Sequence, residues 1–426
     1  MYKVLFLALV ASVMFSGCAD KALQPAAPEK MYVDENTMIL FALDAQNHGN
    51  AARAVGYYDA LYESSGDVVY RDKALESLFS GRYYNDYVKR MDVILQEDAN
   101  VTQKQKRLMV FALIGQKDMV RAEAQANALL KQEQSVENYL TLSEVYSAQK
   151  DYLSALEVLD SAYSVDYSEK ILDKIAITLY VNMKRPYEAI GRIEQHSKNF
   201  GYSLALTKRL AAFYSDQQDE EGMLESYLHL YDLEPKQEYA NLIIQLYWGS
   251  KDTQKLQKFL EKSQSNDALL LKLYISDEKY EKAIPLAKAL YEQSGDLDYL
   301  GQKAIFMYES AKDRSDKALL KEVVGDLKRV VVVKEEGYYL NYLGYCLIEH
   351  DIDVDAGIAY VERALVVEPE SGYFIDSLAW GYYKKGDCQK ADALMKDVVR
   401  LMGDKDEEVQ AHLKAIKKCL NKKGKK

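Results

Sequence analysis

Apolar and small residues recur in a fixed order along most of the chain. The segment 139–162 shows the order most clearly, in the positions Tyr139, Leu142, Ser143, Tyr146, Ala155, Leu159 and Ala162. Spacings of three and four residues place such positions on one face of a helix, with polar residues on the other. The segment therefore predicts two amphipathic helices that are joined by a short turn.

The second of these helices has counterparts throughout the chain. The matching positions are Ala54, Tyr87, Ala122, Ala155, Ala189, Met223, Leu256, Ala283, Ala318, Ala356 and Ala391. The steps between them are 33, 35, 33, 34, 34, 33, 27, 35, 38 and 35 residues. A period close to 34 residues indicates stacked helix pairs, in which small residues let the two helices of a pair approach closely.

Composition supports an all-α fold. The 426 residues include 6 prolines and 21 glycines, so few residues are available to form the turns between many short strands. Alanine, leucine, lysine, glutamate and glutamine are abundant and favour helix. Beyond Gly403, one apolar face is formed by Val409, Leu413, Ile416 and Leu420. That face predicts a terminal helix that caps the stack of pairs.

The same residues carry a resemblance to a known family. The segments 139–162, 340–369 and 375–395 follow the order of large, small and aromatic positions that is typical of tetratricopeptide repeats (TPRs). From about residue 34 to 403 the chain resembles this family, and residues 340–387 resemble the last repeat pair of many bacterial repeat lipoproteins. The resemblance implies an all-α, right-handed superhelical solenoid of about eleven TPR-like helix pairs with a C-terminal capping helix. A tyrosine also recurs at the eleventh place of the repeats, as Tyr146, Tyr180, Tyr214, Tyr247, Tyr274 and Tyr382.

Residues 265–335 depart from this pattern. The step of 27 residues predicts a short first helix in the pair around 265–291. Pro285 lies in the second helix of that pair and should kink or truncate it. The run from Val330 to Val333 is unusually β-branched for a helix. A change of curvature or a break between two arms accounts for the departures, and ordinary repeat degeneracy accounts for them equally.

The pattern of the amino terminus predicts an export signal. Lys3 precedes an apolar run that ends at Phe15, and Ser-Gly-Cys follows at 16–18. This order is typical of a secretory signal peptide. The Gly-Cys end resembles a bacterial lipoprotein signal, although Phe15 stands where that family usually has leucine. The resemblance implies removal of residues 1–17 and lipidation of Cys18, and an ordinary signal peptide with a chance cysteine is the alternative.

The residues after Cys18 bear on its location. Ala19 follows the cysteine, and in lipoproteins the absence of aspartate there implies the periplasmic face of the outer membrane, with the inner membrane and the cell surface as alternatives. Acyl chains such as palmitate stabilise membrane binding by roughly 0.8 kcal/mol per buried methylene. The predicted domains are the signal peptide 1–17, a lipidated tether 18–33, a repeat array 34–264, irregular repeats 265–335, a C-terminal repeat pair 336–403, and a capping helix with a basic tail 404–426.

Charge and motifs narrow the function further. The formal net charge is −11, so the chain would repel the phosphates of a nucleic acid. The five histidines show no metal-ligand spacing, and the sequence holds no phosphate-binding loop and no nucleophile motif. We therefore expect no catalytic site, no metal, no cofactor and no small-molecule substrate.

Three cysteines follow Cys18. Cys388 begins the second helix of the last repeat, and Cys419 ends the capping helix. Antiparallel stacking would bring these two ends together, so we predict a Cys388–Cys419 disulfide with Cys346 buried and free. Two separate reduced thiols are the alternative, because a bridge needs Cα atoms within roughly 7 Å.

The TPR resemblance also implies where a partner binds. In that family the first helices line a concave groove through their second, fifth, ninth and twelfth places. The corresponding residues are Tyr338, Asn341, Tyr345 and Ile348, then Tyr373, Asp376, Trp380 and Tyr383, with Trp248 at the twelfth place of an earlier unit. Aromatic residues with polar ends are common interface anchors. Because the chain has 35 tyrosines, ordinary packing is the alternative.

The sequence thus predicts a non-catalytic scaffold. It would bind protein or peptide partners of the periplasm in the groove and so help to assemble an envelope complex. One alternative is an accessory lipoprotein of a secretion or pilus-assembly channel. Another is an adaptor that recruits envelope hydrolases.

Overall fold

The computed structural model of this chain describes residues 34–97 and 101–423. The predicted signal peptide, Cys18, the tether and residues 424–426 lie outside the described residues. The described part is built from α-helices with no strand. The helices are α1 Glu35–Asn47, α2 Ala51–Ser65, α3 Val68–Ser80, α4 Tyr84–Gln96, α5 Gln103–Gly115, α6 Met119–Gln132, α7 Val136–Gln149, α8 Tyr152–Asp166, α9 Glu169–Ile177, α10 Pro186–Phe200, α11 Leu204–Gln217, α12 Glu220–Leu233, α13 Gln237–Gly249, α14 Thr253–Ser263, α15 Asp267–Ser276, α16 Tyr280–Ser294, α17 Leu297–Glu309, α18 Lys317–Val333, α19 Gly337–Glu349, α20 Val354–Val367, α21 Gly372–Lys384, α22 Cys388–Met402 and α23 Glu407–Lys423. A π-helical turn, Thr178–Asn182, extends α9.

The helices are organised as successive pairs. Helices α1–α22 form eleven first and second helices in alternation, and α23 follows them within the described residues. Consecutive helices pack on one another from α1 to α12 and from α14 to α23, and helices two places apart also touch, as α19 touches α21 and α21 touches α23. The predicted all-α solenoid of helix pairs with a terminal helix is therefore confirmed. No helix in the described part of the chain is long and apolar enough to span a membrane.

The contacts divide the chain into two compact units. The first ends at Ile243 and the second begins at Ile244, a position within α13. In the first unit, arginines of one second helix bind aspartates of the preceding one, as Arg90 Nη1 binds Asp59 at 2.6 Å and Arg192 Nη1 binds Asp160 at 3.0 Å. The predicted domain limits at 264, 335 and 403 stay predictions.

A shared turn sets the start of the second helices. In the turn before α8, Lys150 has a φ of 63° and the side chain of Asp151 accepts from the backbone N–H of Ser154. Ala155, four residues after this N-cap, is fully buried. An N-cap carboxylate satisfies a backbone donor that the helix cannot. The same carboxylate cap precedes α6, α12, α14, α18, α20 and α22, through Asp118, Asp219, Asp252, Asp316, Asp353 and Asp387.

The predicted register is wrong in two repeats. The residue four positions after the N-cap is Leu320 in α18 and Gly357 in α20, where the sequence pattern predicts Ala318 and Ala356. Ala318 is in fact exposed. The connection between α17 and α18 is longer than the connections within the other pairs. A register that follows the recurring alanines therefore misplaces α18, whose start is set by the N-cap Asp316.

The irregular stretch 265–335 keeps its helix pairs. The predicted short first helix is confirmed as α15, with 10 residues. The predicted truncation at Pro285 is wrong, since α16 runs through it for 15 residues. Proline removes only the hydrogen bond of its own missing N–H, and the helix continues on both sides. The valine run ends α18, with Val330 and Val331 buried and Val332 and Val333 exposed.

Some recurring tyrosines connect neighbouring pairs. Tyr274 donates to Glu261 at 2.8 Å, and Tyr382 donates to Glu362 at 2.9 Å, in each case on the preceding second helix. Burial and then the hydrogen bond to Glu261 raise the pKa of Tyr274 to about 12, so the hydroxyl remains a donor at neutral pH. These tyrosines fill structural positions.

Helices α19 and α20 approach each other at two glycines. A Cβ on Gly344 would lie 2.7 Å from the carbonyl oxygen of Gly357, and one on Gly357 would lie 2.8 Å from that of Gly344. Backbone atoms cannot move aside as a flexible side chain can. Gly344, which the repeat pattern places at this crossing, and Gly357, one residue after the predicted Ala356, therefore allow the two helices to pack closely.

Replacing Gly344 by alanine is expected to destabilise the second unit by about 1–3 kcal/mol, because the added methyl overpacks a crossing that backbone lines. Gly325→Ala in α18 is the matched control. A Cβ there meets nothing within 4 Å, so it should stabilise by about 0.5–1 kcal/mol. Urea unfolding followed by far-ultraviolet circular dichroism measures both, and two changes of the same sign would contradict the packing.

Candidate functional site

The predicted groove residues of the last two repeats lie on neighbouring first helices. We call their shared surface the α19–α21 face, and its residues are Tyr338, Asn341, Tyr342, Tyr345, Glu349, Tyr373, Asp376, Trp380 and Tyr383. Tyr338 is 45% and Tyr373 is 66% exposed. The others are half-buried, except Asp376, which is buried. Ile348 was predicted to line this surface, but it is fully buried and Glu349 lies there instead.

A hydrogen bond joins α19 to α23. Tyr345 on α19 donates to the carboxylate of Glu408 on α23, and both helices pack against α21. Burial and then this bond raise the pKa of the Tyr345 hydroxyl far above its usual range, so it stays a donor. Helix α23 therefore lies against α21, and its His412 contacts Asp376, which accounts for the burial of that carboxylate.

Trp380 is held between rings and carboxylates. Its indole stacks on Tyr383 with 4.6 Å between ring centroids and on His412 of α23 with 4.0 Å and an interplanar angle of 16°. Its Nε1 donates to the carboxylate of Glu349 at 2.5 Å. The ammonium of Lys384 lies 5.7 Å from the ring centroid. The ring already contacts one cation and one imidazole of its own chain.

Two oxygen atoms on this face lack a partner. Asp376 Oδ2 accepts from His412 Nδ1 at 2.9 Å, but Asp376 Oδ1 has no hydrogen-bond partner among the described residues. The same holds for Oδ1 of Asn341, which occupies the corresponding place on α19. A buried acceptor without a donor costs free energy. Both atoms are shielded from solvent, so a donor from a bound molecule or from water reaches them only when a covering side chain moves aside.

Further aromatic contacts lie beneath the exposed side chains of the α19–α21 face. Tyr308 of α17 is buried, packs edge-on against Tyr345 at 6.4 Å between centroids, and its hydroxyl lies 3.0 Å from His350 Nε2. Burial lowers the pKa of His350, which favours the neutral ring. Tyr342 donates to Glu309 at 3.0 Å. This packing restricts the rotamers of the surface residues.

The surroundings of the face are acidic. Five carboxylates lie on it or contact its residues directly or through a neighbour, namely Glu309, Glu349, Asp351, Asp376 and Glu408. Two cations lie among them, Lys384 over Trp380 and Arg314 at 5.1 Å over Tyr308. Aromatic faces and carboxylates both attract positive charge. The chemistry favours ligands that donate hydrogen bonds or carry positive charge.

Trp248 lies apart from these residues in the chain. It is 58% exposed and lies near the end of α13, six helices before α19. It belongs to the second unit, but among the described residues no hydrogen bond or ring contact links it to the α19–α21 face. Its role as a binding residue stays a prediction.

The structure pairs the two cysteines as the sequence suggests. Cys388 and Cys419 form a disulfide with Cα atoms 6.0 Å apart, inside the range that a bridge requires. The bridge joins the start of α22 to the second half of α23. Cys346 is free and buried among the described residues. Oxidation of the pair in cells stays a prediction, and non-reducing peptide mapping that finds both thiols alkylated would contradict it.

Cys346 is expected to resist alkylation in the native protein. Burial raises the pKa of its thiol to about 12, and only the thiolate reacts. Iodoacetamide at pH 8 should therefore label Cys346 only after unfolding, at least about 100-fold faster in urea than in buffer. Mass spectrometry of the labelled peptide measures this. Equal rates in both conditions would contradict the buried position.

Sequence reasoning missed part of this surface. It placed Tyr345 and Trp380 on neighbouring first helices, where the structure also has them, but it did not identify Tyr342, Glu349, Glu408 and His412. Glu408 and His412 lie one turn apart on the terminal helix, and His412 is buried on the same side of that helix as Val409 and Ile416. Their spacing of four residues indicates that they share a face, and it is the signal in the sequence that points to them. No group of three histidines, cysteines or carboxylates in the described residues could hold a metal ion.

Comparison with known proteins returns helical repeats at low similarity. One match is a chain of the APC/C hetero-tetramer Cut9-Hcn1, at 10% identity and a TM-score of 0.33, covering 90% of this chain and 96% of that one. Another is YrrB, a TPR protein with an unusual peptide-binding site, at 13% identity and 0.36, covering 45% and 98%. MamA matches at 17% identity and 0.27, covering 36% and 95%. At such values none of these likenesses bears on function.

No protein-family model matches the sequence, and comparison with the sequences of curated proteins also finds no match.

Proposed function

We propose that this chain is a non-catalytic scaffold that binds protein or peptide partners on the α19–α21 face. One observation carries the proposal: adjacent first helices present aromatic rings above two buried acceptor oxygens, Asn341 Oδ1 and Asp376 Oδ1, that lack a hydrogen-bond partner among the described residues. A bound segment of protein that displaces the covering side chains supplies N–H donors for such oxygens and covers the rings. Burial of aromatic anchors in a dry centre is where most binding free energy arises at interfaces.

The proposed location is the periplasmic face of the bacterial outer membrane. The support is the sequence at residues 1–18, with a short apolar run that ends in Ser-Gly-Cys. Lipid on Cys18 would hold the solenoid at the membrane surface. A Cys18→Ala variant should lose incorporation of labelled palmitate and leave the membrane fraction. Unchanged labelling in that variant would remove the anchor from the proposal.

Co-purification tests the binding role. The double variant Trp380→Ala, Tyr345→Ala should lose partners that wild type retains after chemical crosslinking in intact cells, with a loss of at least about 30-fold, because truncation of two central anchors costs roughly 2 kcal/mol or more. The matched control is Tyr187→Ala, Phe200→Ala, which truncates two exposed aromatics of α10. It should keep all partners.

The proteins lost with the double variant identify the pathway. Subunits of a secretion or pilus channel would favour one use of the scaffold, and envelope hydrolases would favour another. Circular dichroism of each purified variant shows whether it is folded. A folded double variant that retrieves the same partners as wild type would refute the proposed site.

A further inference from the structure

A histidine of the chain itself occupies the most polar corner of the α19–α21 face. His412 stacks flat on Trp380, with 4.0 Å between centroids, and its Nδ1 donates to Asp376 Oδ2 at 2.9 Å. Both His412 and Asp376 are buried, at 4% and 6% exposure. The corner therefore binds a planar nitrogen-bearing group through one ring face and one carboxylate.

The imidazole satisfies this corner only in part. One N–H reaches Asp376, and Oδ1 of that carboxylate stays without a partner among the described residues. A guanidinium is also planar and stacks on indole, but it presents two parallel N–H donors to a carboxylate. An arginine in this place would satisfy both oxygens of Asp376. It would keep the contact with the Trp380 ring through a cation–π interaction.

The charges around the corner favour the same ligand. Glu349 contacts Trp380, and Glu408 lies one turn before His412 on α23, with the two side chains 4.0 Å apart. The nearest cation, Lys384, is engaged by Asp351 at 2.9 Å and by the carbonyl oxygen of Glu349 at 2.9 Å. Three carboxylates therefore surround a place that imidazole fills in this structure.

We propose that the partner of the α19–α21 face inserts an arginine side chain between Trp380 and Asp376, displacing His412. This inference rests on the proposed binding function and specifies its ligand. The first half of α23 moves away, and the Tyr345–Glu408 hydrogen bond opens with it. The Cys388–Cys419 bridge keeps the second half of α23 attached to α22. His412 is thus an internal competitor of the partner.

Two short peptides test the charge requirement. The probe is acetyl-Arg-Arg-Arg-amide, and its neutral isostere is acetyl-citrulline-citrulline-citrulline-amide. The chain has two tryptophans, so a Trp248→Phe background leaves Trp380 as the single tryptophan reporter of binding. We expect the arginine peptide to bind at least about 10-fold more tightly than the citrulline peptide, and Asp376→Asn to abolish that difference.

Variants of His412 test the competition. His412→Ala removes the competitor and should raise the affinity for the arginine peptide about 10-fold. His412→Arg supplies a better internal ligand and should lower that affinity by a similar factor. His229→Ala is the control, because His229 also stacks on an aromatic ring, Tyr202, at 3.5 Å. It should leave the affinity unchanged. Circular dichroism and thermal melting establish that each variant is folded.

The outcomes separate this inference from the proposed function. Equal affinity for the two peptides, or shifts of the same sign in His412→Ala and His412→Arg, would overturn the arginine site. If the arginine site is overturned but the Trp380 and Tyr345 double variant still loses its partners in cells, the proposed scaffold function stands without an arginine ligand. If the peptides and His412 variants behave as expected while that double variant keeps every partner, the arginine site stands and the proposed function fails.

Discussion

Reduction of the Cys388–Cys419 bridge is expected to lower the free energy of opening α23 from its neighbours by about 3–4 kcal/mol. The bridge closes a loop of 31 residues, and loop-closure entropy for 15 to 100 residues corresponds to about 3–4.7 kcal/mol. In a solenoid this effect is local, because each pair contacts only its neighbours. The equilibrium constant for opening α23 should therefore rise on the order of 500-fold.

Hydrogen exchange of the α23 amides, with and without a dithiol reductant, measures this opening. The Cys388→Ser, Cys419→Ser double variant should match the reduced protein and no longer respond to the reductant. Cys346→Ala should respond as wild type does, because Cys346 is free. Exchange in α23 that is unaffected by the reductant would show that packing alone holds the helix.

Removal of both partners of Lys303 is expected to cost about 3–5 kcal/mol. Its ammonium binds Glu322 at 2.5 Å and Asp326 at 2.9 Å, and the lysine side chain is only 10% exposed. Burial lowers the pKa of Lys303, but the hydrogen bonds to Asp326 and Glu322 outweigh burial and raise it. Without those carboxylates the charge would be buried alone.

The double variant Glu322→Ala, Asp326→Ala tests this, and urea unfolding measures the loss. Lys303→Met, Asp326→Leu is the matched comparison, since replacing a buried ion pair by apolar groups is often neutral or stabilising. The effect matters for the candidate site because α17 carries both Lys303 and Tyr308, and Tyr308 packs on Tyr345. Equal destabilisation in the two double variants would mean that side-chain volume, not charge, is decisive.

The repeat period predicted most of the fold because the two helices of each pair pack together in the same way. Small residues such as Ala122 and Ala155 are fully buried, so a pattern of small residues locates the second helices. The pattern failed at α18 and α20, where an aspartate N-cap and not the nearest alanine decides the first residue. The aspartates 316 and 353 were a usable signal, since the same residue precedes α6, α8, α12, α14 and α22.

The candidate site was less predictable than the fold. Repeat places put Tyr345, Asp376 and Trp380 on one surface, because those places follow from local helix geometry. They could not indicate that Glu408, 63 residues from Tyr345 in sequence, would bind Tyr345 at that surface. The position of the terminal helix depends on contacts of its own, namely apolar packing of Val409 and Ile416 and the polar contacts of Glu408 and His412. The burial of Asp376 is the consequence that sequence reasoning missed.

A photo-reactive side chain in place of Tyr373 tests the central claim most directly. Tyr373 is 66% exposed on α21, and Lys396, whose side chain is 77% exposed on α22, is the matched position on a second helix of the same pair. After irradiation of intact cells, position 373 should crosslink to a defined partner that mass spectrometry identifies, and position 396 should not. The crosslink should disappear in the Trp380→Ala, Tyr345→Ala background. Partners captured from position 396 and not from 373 would contradict binding on the α19–α21 face.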